Sequence, residues 1–304
     1  MFSNIFLVAF AGSVSGVSLF FSVLTVSVLS LSSCWFFLFD GFSYSGDKEF
    51  KVSIGFLTFI VLLNGFFSWS QGALNLNGML ITASQTLIPY LIVFSGKRVS
   101  DNLLFDFAAM ILLFIIPTYF GSTGVWVLKD GTPISSLPLL VSAMSAVVVF
   151  KSKLGDLFHL PLGLSKQELM GALFVVAATI ASLIFVKAFF GESASVEGLN
   201  WQKVLPFGWF TYVIPALFSE IIYRAVFMNW VTKITGSFSM GLVTSAILFG
   251  YFETGFIYSS NKIALASGIL LGVFNGIAYQ RVGSLTVPLL ANIGFISTLV
   301  LIGL

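Results

Sequence analysis

The chain has 304 residues, of which 58% are hydrophobic and only 9% charged, with a mean hydropathy of +1.04. A soluble domain carries about 25% charged residues, so a water-soluble globule is excluded, and a net charge of +2 spread over loops offers no basic face for nucleic acid. One cysteine (Cys34) excludes an internal disulfide and a thiolate cluster, and one histidine (His159) leaves too few imidazoles for a hydrolytic metal site.

A hydrocarbon core of about 30 Å takes about 20 apolar residues per helix. On that ruler, spans are expected near 5–38, 52–69, 78–96, 102–122, 135–150, 167–190, 203–232, 238–252, 263–280 and 285–303. The fold class expected is therefore an all-α polytopic membrane protein of about ten transmembrane helices. Residues 1–160 supply helices of unassigned role and residues 161–304 a C-terminal core. The N-terminus "MFSNIFLVAF" lacks the basic region and small-residue cleavage site of a signal peptide and reads as the start of the first span. Alternate loops carry Lys48 and Lys51, Lys97 and Arg98, then Lys151, Lys153 and Lys166, then Lys233, then Arg281. The positive-inside rule makes that set cytoplasmic and puts both termini outside.

Local chemistry marks the boundaries. "SKQE" at 165–168 is a capping box, Ser165 closing the helix start and Glu168 reaching back. "GESASVEGLN" at 191–200 is a polar, turn-rich loop. The lone His159, in the loop at 151–166, reads as a solvated surface residue. Gly268, Gly272 and Gly276 recur every four residues, a strip that lets another helix approach closely. Packing within the chain is the plainer reading of that strip, with a contact to a second copy as the alternative.

The most informative stretch is "LFSEIIYRAVF" at 217–227, an apolar run holding a carboxylate and a guanidinium. Glu220 and Arg224 are four residues apart and share a helix face. A charge at membrane depth costs at least about 2.5–3.5 kcal/mol, so the pair marks either a site or an internal ion pair. "FGYFE" at 249–253 follows, then the glycine strip with "YQRVG", then "GSLTVPLLANIGFI" at 283–296.

In this order the motifs resemble the CPBP family: the type II CAAX prenyl proteases, the Abi-type bacteriocin self-immunity proteins and their relatives. The family's helices carry Glu-Glu-x-x-x-Arg, then Phe-x-x-x-His, then His-x-x-x-Asn. The resemblance aligns Glu220 with the second glutamate, Arg224 with the arginine and Phe249 with the phenylalanine. It also implies that the family's catalytic positions are replaced here. Ser219 stands for the first glutamate, Glu253 and Asn292 for the two histidines, and Ile296 for the asparagine. None of these positions is therefore expected to be catalytically active, and no intramembrane histidine remains to serve as a base titrating near neutrality.

The reading that follows is a catalytically degenerate CPBP-like membrane protein, a pseudoprotease acting as scaffold or binding subunit. Expected partners are membrane lipid and another membrane protein or complex, with no cofactor and no metal. The resemblance implies a chamber lined by Glu220, Tyr223, Arg224, Phe249, Glu253 and Asn292, suited to a donor-rich or cationic group on an apolar body or to a neighbouring polar helix. The prokaryotic inner membrane is the expected location. An intramembrane endopeptidase with an altered Glu/Asn site is the first alternative. A transporter or channel subunit is the second, although no internal repeat of the kind transporters carry is visible.

Overall fold

The computed structural model describes residues 47–70, 76–99, 103–115, 136–154, 165–189, 214–253 and 262–301. The expected span at 5–38, Cys34, His159 and the loop at 191–200 lie outside the described residues. Each of the other nine expected spans overlaps a helix: α1 (Asp47–Ser70), α2 (Leu76–Val99), α3 (Leu103–Ile115), α4 (Ser136–Leu154), α5 (Lys166–Phe189), α6 (214–235), α7 (Phe238–Glu253), α8 (Lys262–Val282) and α9 (Thr286–Leu301). Among the described residues, three helical segments are long and apolar enough to cross a membrane: Leu76–Phe94, Lys166–Val186 and Lys262–Val282. Shorter apolar helices lie at Phe50–Leu62, Leu103–Leu113, Phe238–Phe252 and Thr286–Phe295.

The polarity of the molecule is inverted relative to a soluble protein. Phe174, Phe185 and Phe189 are at least 70% exposed, whereas Glu220 and Arg224 are fully buried. Exposed phenylalanine is stable only against hydrocarbon, and buried charge only where neighbouring helices supply partners. The chain is an integral membrane protein.

The chain divides into two compact units, Met1–Lys153 and Leu154–Leu304. In the first, α2 packs against α1 and α3. Thr82, Gln85, Thr86 and Tyr90 recur at three- and four-residue spacing on the buried side of α2. Thr82 and Thr86 spend their hydroxyls on the carbonyls of Gly78 (3.0 Å) and Thr82 (2.9 Å), the satisfied state that hydrocarbon requires. Asp106, in the first turn of α3, pairs with Lys153, one residue from the end of α4. Each charge sits at the helix end whose dipole favours it.

In the second unit α5 packs against α8 and α9, and α7 against both α6 and α8. The capping box forms at the start of α5: Ser165 N donates to Glu168 Oε2 (2.8 Å) and Glu168 N donates to Ser165 Oγ (3.1 Å). Glu168 also accepts from Ser284, whose Oγ in turn takes the Thr286 N–H (3.1 Å) at the start of α9. Replacing Ser165 by Ala is expected to cost about 1 kcal/mol of thermal stability, as loss of an N-cap does elsewhere. An unchanged melting temperature in detergent would show that the cap is redundant with the Ser284 contact.

Gly236 and Gly283 both have φ of 67°, in the left-handed region, and end α6 and α8 by turns that side chains with a Cβ resist. The glycine strip of α8 lies against α7. A Cβ on Gly272 would stand 2.9 Å from Ala246 Cα, and one on Gly276 would strike Leu242, while Gly268 is buried. From the other side, a Cβ on Gly250 would stand 2.8 Å from Ile269 N. The two backbones interlock through absent side chains.

Candidate functional site

Helix α6 is not uniform. Ile214–Glu220 is α-helical, Ile221–Met228 is π-helical, and Asn229–Thr235 returns to the α form. Such i→i+5 stretches are rare and concentrate at functional sites. Here the change of pitch begins immediately after Glu220 and contains Tyr223 and Arg224. Asn229, where the α form resumes, donates from Nδ2 to the Ala225 carbonyl (3.1 Å) and to the Tyr279 hydroxyl (3.2 Å).

Three helices meet on one carboxylate oxygen. Asn275 Nδ2 of α8 donates to Glu220 Oε1 at 2.9 Å, and Asn292 Nδ2 of α9 donates to the same oxygen at 3.1 Å. Asn275 Nδ2 also reaches the Pro288 carbonyl at 3.3 Å. Both acceptors demand a nitrogen, so the orientation of that carboxamide is fixed by its surroundings. The other carboxylate oxygen, Oε2, faces Arg224 Nε at 3.2 Å as an ion pair, without the alignment of a hydrogen bond.

Arg224 makes further contacts to α7 and to its own helix. Its Nη1 donates to Ser245 Oγ of α7 (3.3 Å), and Ser245 Oγ donates to the Tyr223 carbonyl (2.6 Å). The guanidinium carbon lies 4.6 Å from the Phe249 ring centroid and 5.9 Å from that of Tyr223. The two rings meet edge to face at 5.3 Å. Phe249 thus offers the cation its π face, an attraction worth about 2 kcal/mol when desolvated.

Of the residues singled out in the sequence, Glu220, Tyr223, Arg224, Phe249 and Asn292 converge on this cluster. Ser219 is buried beside them. Glu253 is the last residue of α7 and Ile296 lies one turn beyond Asn292 in α9; their side chains are not among those the structure describes. Sequence reasoning missed Asn275 and Ser245. Asn275 had a visible signal: it is a carboxamide three residues after Gly272 and thus on the strip face of an apolar span. Ser245 had none, being one small residue in "LVTSAIL".

Chemically the cluster is charge-balanced, with one anion, one cation and two donor amides. A bound metal ion does not fit these residues. A cation cage needs several inward-facing oxygens, whereas Asn275 and Asn292 turn nitrogens toward Glu220 and a guanidinium stands on its other side. No group of three or more His, Cys, Asp or Glu that could hold a metal occurs among the described residues.

The family model described as Type II CAAX prenyl endopeptidase Rce1-like matches residues 200–295, about a third of the chain. Every residue of the cluster falls inside the match, and Ile296 lies one position beyond it. No curated protein and no solved structure matches the chain. With the buried Glu220–Arg224 pair at its centre, the segment 200–295 is similar to the Rce1-like proteins of the CPBP family and is carried in a polytopic membrane protein.

Proposed function

We propose that the CPBP-like core binds rather than cleaves, and that the protein is a scaffold or binding subunit for a membrane partner. That partner is a transmembrane helix or a lipid-linked molecule, and the setting is a prokaryotic inner membrane with both chain termini outside. One observation carries the reading: among the described residues, every partner of the Glu220 carboxylate is an amide or a guanidinium. Water activation at neutral pH needs a base with a free lone pair and a proton acceptor titrating near 7. A carboxylate already receiving two amide hydrogens and facing a fixed cation serves poorly as that base. Of the motif-equivalent positions, Ser219, Asn292 and Ile296 add no titrating group, and Glu253 puts a carboxylate where the family has a histidine.

The expected result is therefore no turnover of prenylated or unprenylated peptides by the protein reconstituted in liposomes. A mild-detergent pull-down should instead recover a defined membrane protein or lipid. Peptide cleavage that disappears in Glu220→Gln would overturn the reading in favour of an endopeptidase with an altered Glu/Asn site.

A further inference from the structure

The cluster is incompletely satisfied, and what it lacks has a definite chemistry. Asn275 Oδ1 is fully buried and accepts no hydrogen bond from the described residues, and neither does Glu220 Oε2, which has only the misaligned ion pair. Arg224 Nε stands 3.2 Å from Oε2, so the acceptor without any facing donor is Asn275 Oδ1; an unpaired buried acceptor costs about 1–3 kcal/mol, and that oxygen marks a place a donor would fill. Because Asn275 Nδ2 is committed to Glu220 and to the Pro288 carbonyl, the amide cannot turn over to relieve its oxygen.

Charge selects among donors. Glu220 and Arg224 already cancel, so an added ammonium would bring an uncompensated charge to a fully buried position, which is strongly disfavoured. The donor is neutral. Partner helices are poor sources, because in hydrocarbon their backbone N–H groups are committed within the helix. Their hydroxyl side chains often bond back to their own carbonyls, as Thr82, Thr86, Thr179, Ser182 and Ser267 do here, while Ser142 and Ser245 spend theirs on a neighbouring helix. A hydroxyl at the end of an apolar chain has no such internal outlet.

We propose that the Glu220–Asn275–Asn292 cluster binds the hydroxyl headgroup of a neutral membrane lipid, with Asn275 Oδ1 as the acceptor that selects it. This rests on the reading that the core binds rather than cleaves. It narrows the ligand from a donor-rich or cationic group to a neutral alcohol, and it makes Asn275 the specificity-determining residue.

The test uses full-length protein in liposomes and three photoactivatable probes on one diazirine-bearing hexadecyl chain: the alcohol, its methyl ether and the primary amine. Labelling is mapped by mass spectrometry to the Lys262–Val282 and Thr286–Leu301 helices. The alcohol should label these helices about fivefold or more above both the ether and the amine, the value of one buried hydrogen bond. Asn275→Leu should abolish the preference. Asn275→Asp, which keeps an acceptor at the same place, should retain more of it than the leucine variant. Equal labelling by alcohol and ether in the native protein overturns the proposal without any variant having to fold, as does a preference for the amine. None of these outcomes depends on peptide turnover, so failure here is separable from failure of the binding reading itself.

Discussion

Arg224→Ala is expected to be the most damaging single substitution in the core, lowering stability by about 3–5 kcal/mol. The side chain is fully buried, so its loss strands Glu220 as an anion with two amide donors and no countercharge. It also removes the cation from the Phe249 face and the donor from Ser245. The double change Glu220→Gln with Arg224→Met should recover much of the loss, because glutamine keeps an oxygen for Asn275 and Asn292 while both charges disappear together. Thermal unfolding in detergent and yield from membranes give the readout. If Arg224→Ala melted at the native temperature, the pair would have to be solvated rather than buried.

The second large effect is expected at Gly272. A methyl group there would stand 2.9 Å from Ala246 Cα and 3.2 Å from the Ala246 carbonyl oxygen, both backbone atoms that cannot swing aside. Overpacking of this kind costs about 1–3 kcal/mol. Gly55 provides the contrast, since nothing lies within 4 Å of a Cβ added there. Alanine at position 55 should leave stability unchanged or raise it by up to about 1 kcal/mol, through helix propensity alone. Opposite signs for one substitution at two glycines would separate interhelical contact from intrinsic helix preference. Equal signs would mean that α7 and α8 are not interlocked at Gly272.

The fold was largely legible because hydropathy reports where backbone must satisfy itself. Helix positions from α1 to α9 follow from apolar run length, and the start of α5 from "SKQE". The Glu220–Arg224 pair was legible for the same physical reason: a charge in an apolar run is too costly to be incidental. Asn292 was visible as a polar residue in an apolar helix, but its partner Glu220 lies 72 positions away, and no spacing rule reaches that far. The π-helical stretch was invisible. "IIYRAVFM" has ordinary α-helical propensity, and its altered hydrogen bonding is a product of tertiary packing rather than of local sequence. The role of Asn275 could be glimpsed from the strip face it shares with Gly272, whereas its unspent oxygen could be seen only in three dimensions.

The position of Arg224 also bears on how the protein is made. Asn275 and Asn292, the two amide donors to Glu220, lie 55 and 72 residues further along the chain. When α6 leaves the ribosome and meets the membrane, neither donor has yet reached it, since chains emerge N-terminus first. A lone carboxylate entering the bilayer at that moment would resist insertion. Arg224, four residues on, emerges almost together with Glu220 and cancels its charge within the same helix. The arginine thus acts as a travelling counterion, carrying the acid across the translocation step and remaining beside it after α8 and α9 arrive.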